Sequence, residues 1–306
     1  IPHGNSTLTL TRYVPHWRVT MTIANRCMLV KLNISAWTAT KLDKSESNKV
    51  MRDNGVHSSS NKNPVRVYKD IMAGGPVVKN IKDYAARCRL DYNKMTLPFE
   101  DNGWRILPTA MYFEFIDFVN EREAGFTDLV RQLETQYGSM VRASMEMLSN
   151  LQDHADYTDI EDVLDKYSFN LSKRPMPDSG HFIVDGMGDE LERVKAQMDA
   201  ERDAQVANAV AEGGERVFTM LESMSAKLDN SDPEAKKRFH DNWLSSAQHL
   251  CEQAEKWNLT GNSRLKSVTD RFQNAIRGYN VDSLKHSPVA RAEMKDQLDS
   301  ILKDFL

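Results

Sequence analysis

Cysteine is scarce in this chain: Cys27, Cys88 and Cys251 are the only three, far apart and odd in number. They form no metal or redox spacing, which points to reduced thiols. No apolar run approaches the roughly 20 residues that span a bilayer, so an integral membrane protein is not expected. Glycine and proline are also few, at 14 and 10 of 306 residues, and with 27% charged residues this is ordinary for a helical soluble protein. A hydrophobic fraction of 40% is enough to bury a core as one elongated or two compact domains.

The net charge of −4 conceals a split along the chain. Residues 1–100 hold 16 Lys+Arg against 7 Asp+Glu (+9), and the rest hold 24 against 37 (−13). Such asymmetry fits a nucleic-acid-facing end, two ends that attract each other in an oligomer, or a merely solvated surface. Residues 1–27 contain three Arg and no acid and lack periodicity. They are read as an extraneous segment or faint transit-like leader, outside the fold, with Met28 as the natural first residue.

From Met28 the text Met-Leu-Val-Lys-Leu-Asn-Ile alternates like a strand over 28–35. Ser58–Asn63 reads as a loop, and Asn63-Pro64 predicts a short helix to about Met72, stopped by Gly74-Gly75-Pro76. A helix over Val77–Met95 is well marked. Val77, Ile81, Tyr84, Ala85, Cys88, Tyr92 and Met95 share one face, while Lys79, Lys82, Arg89 and Lys94 fall opposite, with Arg87 at the edge. Thr96–Phe99, Asp101-Asn102-Gly103 and Trp104–Pro108 predict a hairpin about an Asn-Gly turn.

Two long helical stretches follow. In the first, about Thr109–Asn150, the positions Tyr112, Ile116, Val119, Glu123, Phe126 and onward to Leu151 alternate by four and three, the seam of a helix packed lengthwise on another. The second runs from about Glu190 to Leu228, with a stutter at Met198, Arg202, Val206 and Val210. Between them, a short helix at Thr158–Tyr167 and small strands at Phe169/Leu171 and Phe182/Val184 are expected.

Folding the two rods back on each other puts Glu123 beside Arg216 and Gly125 level with Gly213-Gly214. The glycines would mark a close approach or hinge in a continuous, kinked helix, or else Gly213-Gly214 ends one helix and starts another. The C-terminal quarter reads as a small bundle of three helices. One opens at Asp232-Pro233 and carries Trp243, Ala247, Ala254 and Trp257; the next shows Leu265, Val268, Phe272 and Ile276; the last opens at Ser287-Pro288.

Motifs that carry chemistry are missing. Met72–Pro76 before a helix lacks the Gly-rich loop with Lys-Ser/Thr and the dinucleotide fingerprint, and reads as a turn between helices. The eight histidines are scattered, and His154-Ala155-Asp156 falls far short of a metal set. No nucleophile elbow or supported cysteine appears, and the acids lie in helix-surface runs. No catalytic, metal or cofactor residue is therefore nominated. Lys79, Lys82, Arg87, Arg89 and Lys94 are the candidate nucleic-acid contacts, electrostatic and sequence-independent, because Tyr84 and Tyr92 face inward.

Thr96-Leu97-Pro98-Phe99, Asp101-Asn102-Gly103, Arg105–Pro108, Tyr157 to Phe169, Pro175-Met176-Pro177, Phe182–Asp185 and Asn258–Gly261 together carry a resemblance. From Met28 to the end, the chain resembles a family of uncharacterised proteins from proteobacteria and their tailed phages. The resemblance implies genes often neighbouring a MoxR-type AAA+ ATPase and a von Willebrand factor A-type protein, and it supplies no catalytic residue to carry over.

The sequence thus predicts a mainly α fold with a long antiparallel helical hairpin, a coiled-coil-like arm on a helical base with small β-hairpin elements. Residues 28–108 form the basic part of the base, 109–231 the arm with its tip at 152–187, and 232–306 the C-terminal bundle. The expected function is a non-enzymatic assembly or adaptor protein in the cytoplasm of a bacterial or phage-infected cell. Its partner is an AAA+ ATPase-linked protein, or a second copy joined through the arm, with no membrane. The alternative is a nucleic-acid-binding accessory protein using the basic N-terminal third.

Overall fold

The computed structural model describes residues 22–56, 63–181, 188–229 and 239–305. A turn of helix, α1 (Ile23–Arg26), leads into β1 (Cys27–Ser35), then β2 (Thr40–Asp43), α2 (Lys44–Asp53) and β3 (Val67–Asp70). Next come α3 (Val77–Met95), β4 (Leu97–Pro98), β5 (Arg105–Pro108) and the long α4 (Tyr112–Leu148). The chain continues through α5 (Ile160–Leu164), β6 (Ser168–Pro175), α6 (Gly188–Leu228), α7 (Trp243–Trp257), α8 (Ser263–Ile276), α9 (Val281–His286) and α10 (Pro288–Phe305). The fold is mainly helical, and the described residues form two small antiparallel sheets, one of order β4-β5-β1-β6 and one of β2 with β3.

Strand β1 is the centre of the larger sheet. One edge pairs with β5, Cys27 opposite Pro108, and the other with β6, Met28 opposite Pro175 through Ser35 opposite Ser168. Residues 22–27 therefore belong to the fold: Arg26 donates to the Leu259 carbonyl at 2.7 Å, and Thr109 donates to the Arg26 carbonyl at 3.0 Å. Residues 168–175 likewise belong to this sheet and not to the tip of an arm. The expected strand at Phe182/Val184 and the helix start at Asp232-Pro233 lie outside the described residues.

The helix expected over 63–72 is instead strand β3. Its backbone finds partners across the sheet, with Thr40 opposite Asp70 and Asp43 opposite Val67, and this pairing overrides the local Asn-Pro helix signal. Between these strands, Asp43 caps α2 by accepting from the Glu46 N–H at 3.0 Å, a helix the sequence reading missed. The hairpin of β4 and β5 forms as expected, and Gly103 takes the left-handed conformation, φ +90°, that its turn requires.

The heptad seam of α4 is real, but its partner differs from the expected one. Val119, Phe126, Leu133 and Met140, seven residues apart, are all buried. What covers much of that stripe is α3, running the opposite way. Tyr92 sits against Phe115 with ring centroids 6.0 Å apart, and Gly75 lies against Met140 at the other end. A side chain on Gly74 would collide with the backbone of Ala143 and Ser144, at 2.5 Å from the Ser144 nitrogen, so this glycine is required by close approach.

The second rod, α6, runs unbroken through Gly213-Gly214 and packs on α10 and α7 instead of along α4. Its last turns are fixed to α10 where Ser225 donates to Asp299, which also pairs with Lys295 at 2.5 Å. Seam positions that look complementary in sequence are thus satisfied by different neighbours. Two cores result. One joins the β-sheet, the start of α4, the second half of α6 and the C-terminal helices. The other joins the first half of α3 to the rest of α4, with Ile71, Met72 and Val163.

Candidate binding groove

Arg216 is the key to the clearest concavity. The last carbonyls of a helix lack partners within it and carry the negative end of its dipole, so cations gather there. Arg216 of α6 donates to the carbonyls of Asn93 at 3.0 Å and Thr96 at 3.1 Å, at the end of α3. Arg105 of β5 reaches the same place, its Nε donating to Thr96 Oγ1 at 2.7 Å. Burial first, and then the neighbouring Arg216 charge, push the Arg105 guanidinium below its usual value. The Arg216 guanidinium also lies 5.2 Å from the ring centre of Trp257, whose indole N–H points to the Met95 carbonyl at 3.4 Å.

This junction ties the end of α3 to α6 and α7 and leaves a groove of about 700 Å³ beside it. From α4 come Phe118 and Arg122, with the Arg122 guanidinium 5.3 Å from the Phe118 ring centre and 3.5 Å from Asp91. The Arg122 Nε is buried with no hydrogen-bond partner. From α7 come Ser246, His249, Leu250 and Gln253, one helical face, while Met220 of α6 supplies apolar wall. Gln253 is 4% exposed, and its amide has no hydrogen-bond partner among the described residues.

The residues nominated from sequence do not converge. Glu123 is exposed on α4, and Arg216 is engaged at the end of α3, so the expected pair is not made; Arg216 finds its carboxylate on its own helix, Glu212 at 2.9 Å. Gly125 faces Tyr84, Gly213 faces Leu97 and Trp257, and Gly214 faces Leu265, so the three glycines serve different packings and not one hinge. On α3, Lys79 pairs with Asp83 at 2.6 Å and Lys94 with Asp91 at 3.2 Å. Lys82 donates to the Thr38 carbonyl at 3.3 Å and Arg89 to the Ile34 carbonyl at 2.7 Å. Arg87 is exposed. Of the five, two thus pair within α3, two reach the end of β1 and the segment after it, and Arg87 is left exposed.

At the Gly74-Gly75 turn, the Gly74 N–H donates to Ser144 Oγ at 2.8 Å, so that amide is not free for an anion. In His154-Ala155-Asp156, the carboxylate is a counter-charge for buried Lys69, at 2.7 Å, with Asp43 3.5 Å from the same ammonium. Among the described residues no group of three or more His, Cys, Asp or Glu side chains is placed to hold a metal ion, and no helix is long and apolar enough to cross a membrane.

Sequence reasoning followed the apolar face of α7 and so missed the groove. Ser246, His249 and Gln253 recur at three and four residues beside that face, a polar line ending on a tryptophan. That line was the available signal.

The class the fold defines is a mainly helical protein with two cores and a groove beside their shared helices. The chain matches no protein-family model, no curated protein and no solved structure.

Proposed function

We propose that this protein is a non-enzymatic assembly or adaptor protein, working in the bacterial cytoplasm, including that of phage-infected cells. The observation that carries the reading is the first half of α6. No residue of 188–205 is buried, although the helix is continuous with a second half that lies deep in the core. Most helix stability in proteins comes from packing an apolar face, so the Leu191, Val194 and Met198 stripe, spaced three and four apart on this rod, offers a face to a partner. Residue resemblance supports a MoxR-type AAA+ ATPase, or a protein acting with one, as that partner, and self-association is the second form of the same reading.

Co-expression of the chain with such an ATPase, followed by affinity capture, tests this. Capture of the ATPase by the wild type and its loss in Leu191→Asp/Met198→Asp is the expected result. Equal capture by both, or none by either together with a monomeric mass, overturns it. The alternative is a nucleic-acid-binding accessory role, which rests on the +9 balance of residues 1–100 and on exposed Arg87. A gel-shift salt series separates the two, since phosphate contacts are strongest at low salt and no shift there removes the alternative.

A further inference from the structure

The groove between α3, α4, α6 and α7 is lined by cations that the fold uses only in part and by the Gln253 amide, which makes no hydrogen bond with the described residues. We propose that it is a binding site for a small organic anion, a carboxylate carried on an apolar body, held between Arg122 and the polar line of α7.

Three features of the lining support this. First, the lining itself leans positive, with Lys94, Arg122 and Arg216 against Asp91, although Glu212 pairs with Arg216 at 2.9 Å and Glu121 with Arg122 at 3.8 Å from outside the wall. Second, hydrogen-bonding capacity is left over at one place. Gln253 is 4% exposed and its amide makes no hydrogen bond with the described residues, while Arg122, held by Asp91 and the Phe118 ring, keeps an Nε without a partner. The little of Gln253 that remains accessible includes its amide, so that amide meets the water of the groove and stands free for an occupant. Third, the remaining wall is apolar and includes Phe118, Met220, Leu250 and Trp257. Water can satisfy the amide but leaves those side chains wet; a ligand with a charged end and an apolar body satisfies both.

A carboxylate suits the donors better than a cation or a neutral group. The guanidinium and amide N–H groups are donors, and charge-assisted bonds of this kind are about twice as strong as neutral ones. The cavity, about 700 Å³, falls within the size range of small-ligand sites, roughly 300–1,000 Å³. Asp91, beside Arg122, disfavours a second negative charge near the α3 end and so favours a monoanion. This assignment stands apart from the adaptor reading, because the exposed half of α6 contributes nothing to the lining.

A matched probe series tests it on the full chain: 4-phenylbutyrate, 4-phenylbutylamine, 4-phenylbutanol and inorganic phosphate, followed by ligand-observed NMR and thermal shift. The butyrate is expected to bind in the millimolar range or tighter, at least tenfold better than the amine or alcohol. Arg122→Gln and Gln253→Leu should each weaken it tenfold or more. Gln253→Leu is nearly isosteric and removes an unpaired amide, so it keeps the fold, and unchanged far-ultraviolet circular dichroism confirms that. Equal binding of acid and amine overturns the proposal, as does binding that both variants leave intact. Phosphate binding as tightly as the acid overturns the apolar body. A nine-residue acidic peptide that binds where the butyrate does not overturns the small ligand in favour of a partner's segment.

Discussion

Removing the Lys69 ammonium should destabilise the protein sharply, and in a way that acid partly repairs. Its side chain is 8% exposed, with Asp156 at 2.7 Å, Asp43 at 3.5 Å and the Leu151 carbonyl at 3.0 Å. At an effective dielectric of ~20, the 2.7 Å pair alone is worth about 6 kcal/mol of attraction. Desolvation offsets much of that, but deleting one partner strands the others, and buried pairs broken in this way cost ~3–5 kcal/mol. Lys69→Met keeps the stem and removes the charge, leaving two largely buried carboxylates facing the same space. A loss of that size lowers the melting temperature by roughly 5–8 °C in a chain of this length.

The pH dependence carries its own sign. Asp156 above all holds the Lys69 ammonium above its ordinary value, and the Glu46 amide above all holds the Asp43 carboxyl below its ordinary value. The lysine's contribution is complete below its unfolded value and is lost only in strong alkali. The Asp43 contribution is complete above about pH 4 and is lost as pH falls below that. Wild type should therefore be flat between pH 5.5 and 8 as far as this cluster is concerned. Lys69→Met should recover part of its loss at pH 5.5, because protonating one carboxylate relieves the repulsion. Urea unfolding followed at 222 nm at both pH values measures it. A loss under about 1 kcal/mol, with no difference in pH response between variant and wild type, refutes a buried cluster.

Gly74→Ala should cost about 1–3 kcal/mol, since its Cβ would meet α4 backbone, whereas Gly138→Ala, with its nearest neighbour 3.9 Å away, should gain about 0.5–1 kcal/mol; urea midpoints compare them. Burial pushes the thiols up, to about 11 for Cys27 and about 12 for Cys251, with Cys88 also raised. All three should resist a disulfide reagent at pH 8 until urea unfolds the chain, and fast labelling of any one would contradict its burial. Ser225→Ala removes the bond from α6 to Asp299 and should cost about 1–2 kcal/mol, read by the same unfolding curves.

Local rules recovered the elements whose partners lie close in sequence or whose stripe is strong. The Val77–Met95 helix, the hairpin about Asn102-Gly103 and the α8 face of Leu265, Val268, Phe272 and Ile276 all stand as expected. Failures came where tertiary pairing decided the outcome. Val67–Asp70 follows a helix signal yet forms a strand because Thr40–Asp43 is available to it. The α4 seam states that a helix must cover it but cannot say which, and α3 was nearer than α6. For the groove, a cavity depends on elements from four parts of the chain, so only the polar line on α7 was present in the text.

The position of β1 in the middle of its sheet links assembly to synthesis. Its neighbours, Arg105–Pro108 and Ser168–Pro175, emerge from the ribosome well after it does. Until residue 175 is made, one edge of an apolar strand stays open, a template for pairing with another nascent chain. Expression fragments cut between residues 108 and 175 inherit that open edge, so they are candidates for inclusion bodies, and cuts soon after 175 still strip α6 and the C-terminal helices from the same core.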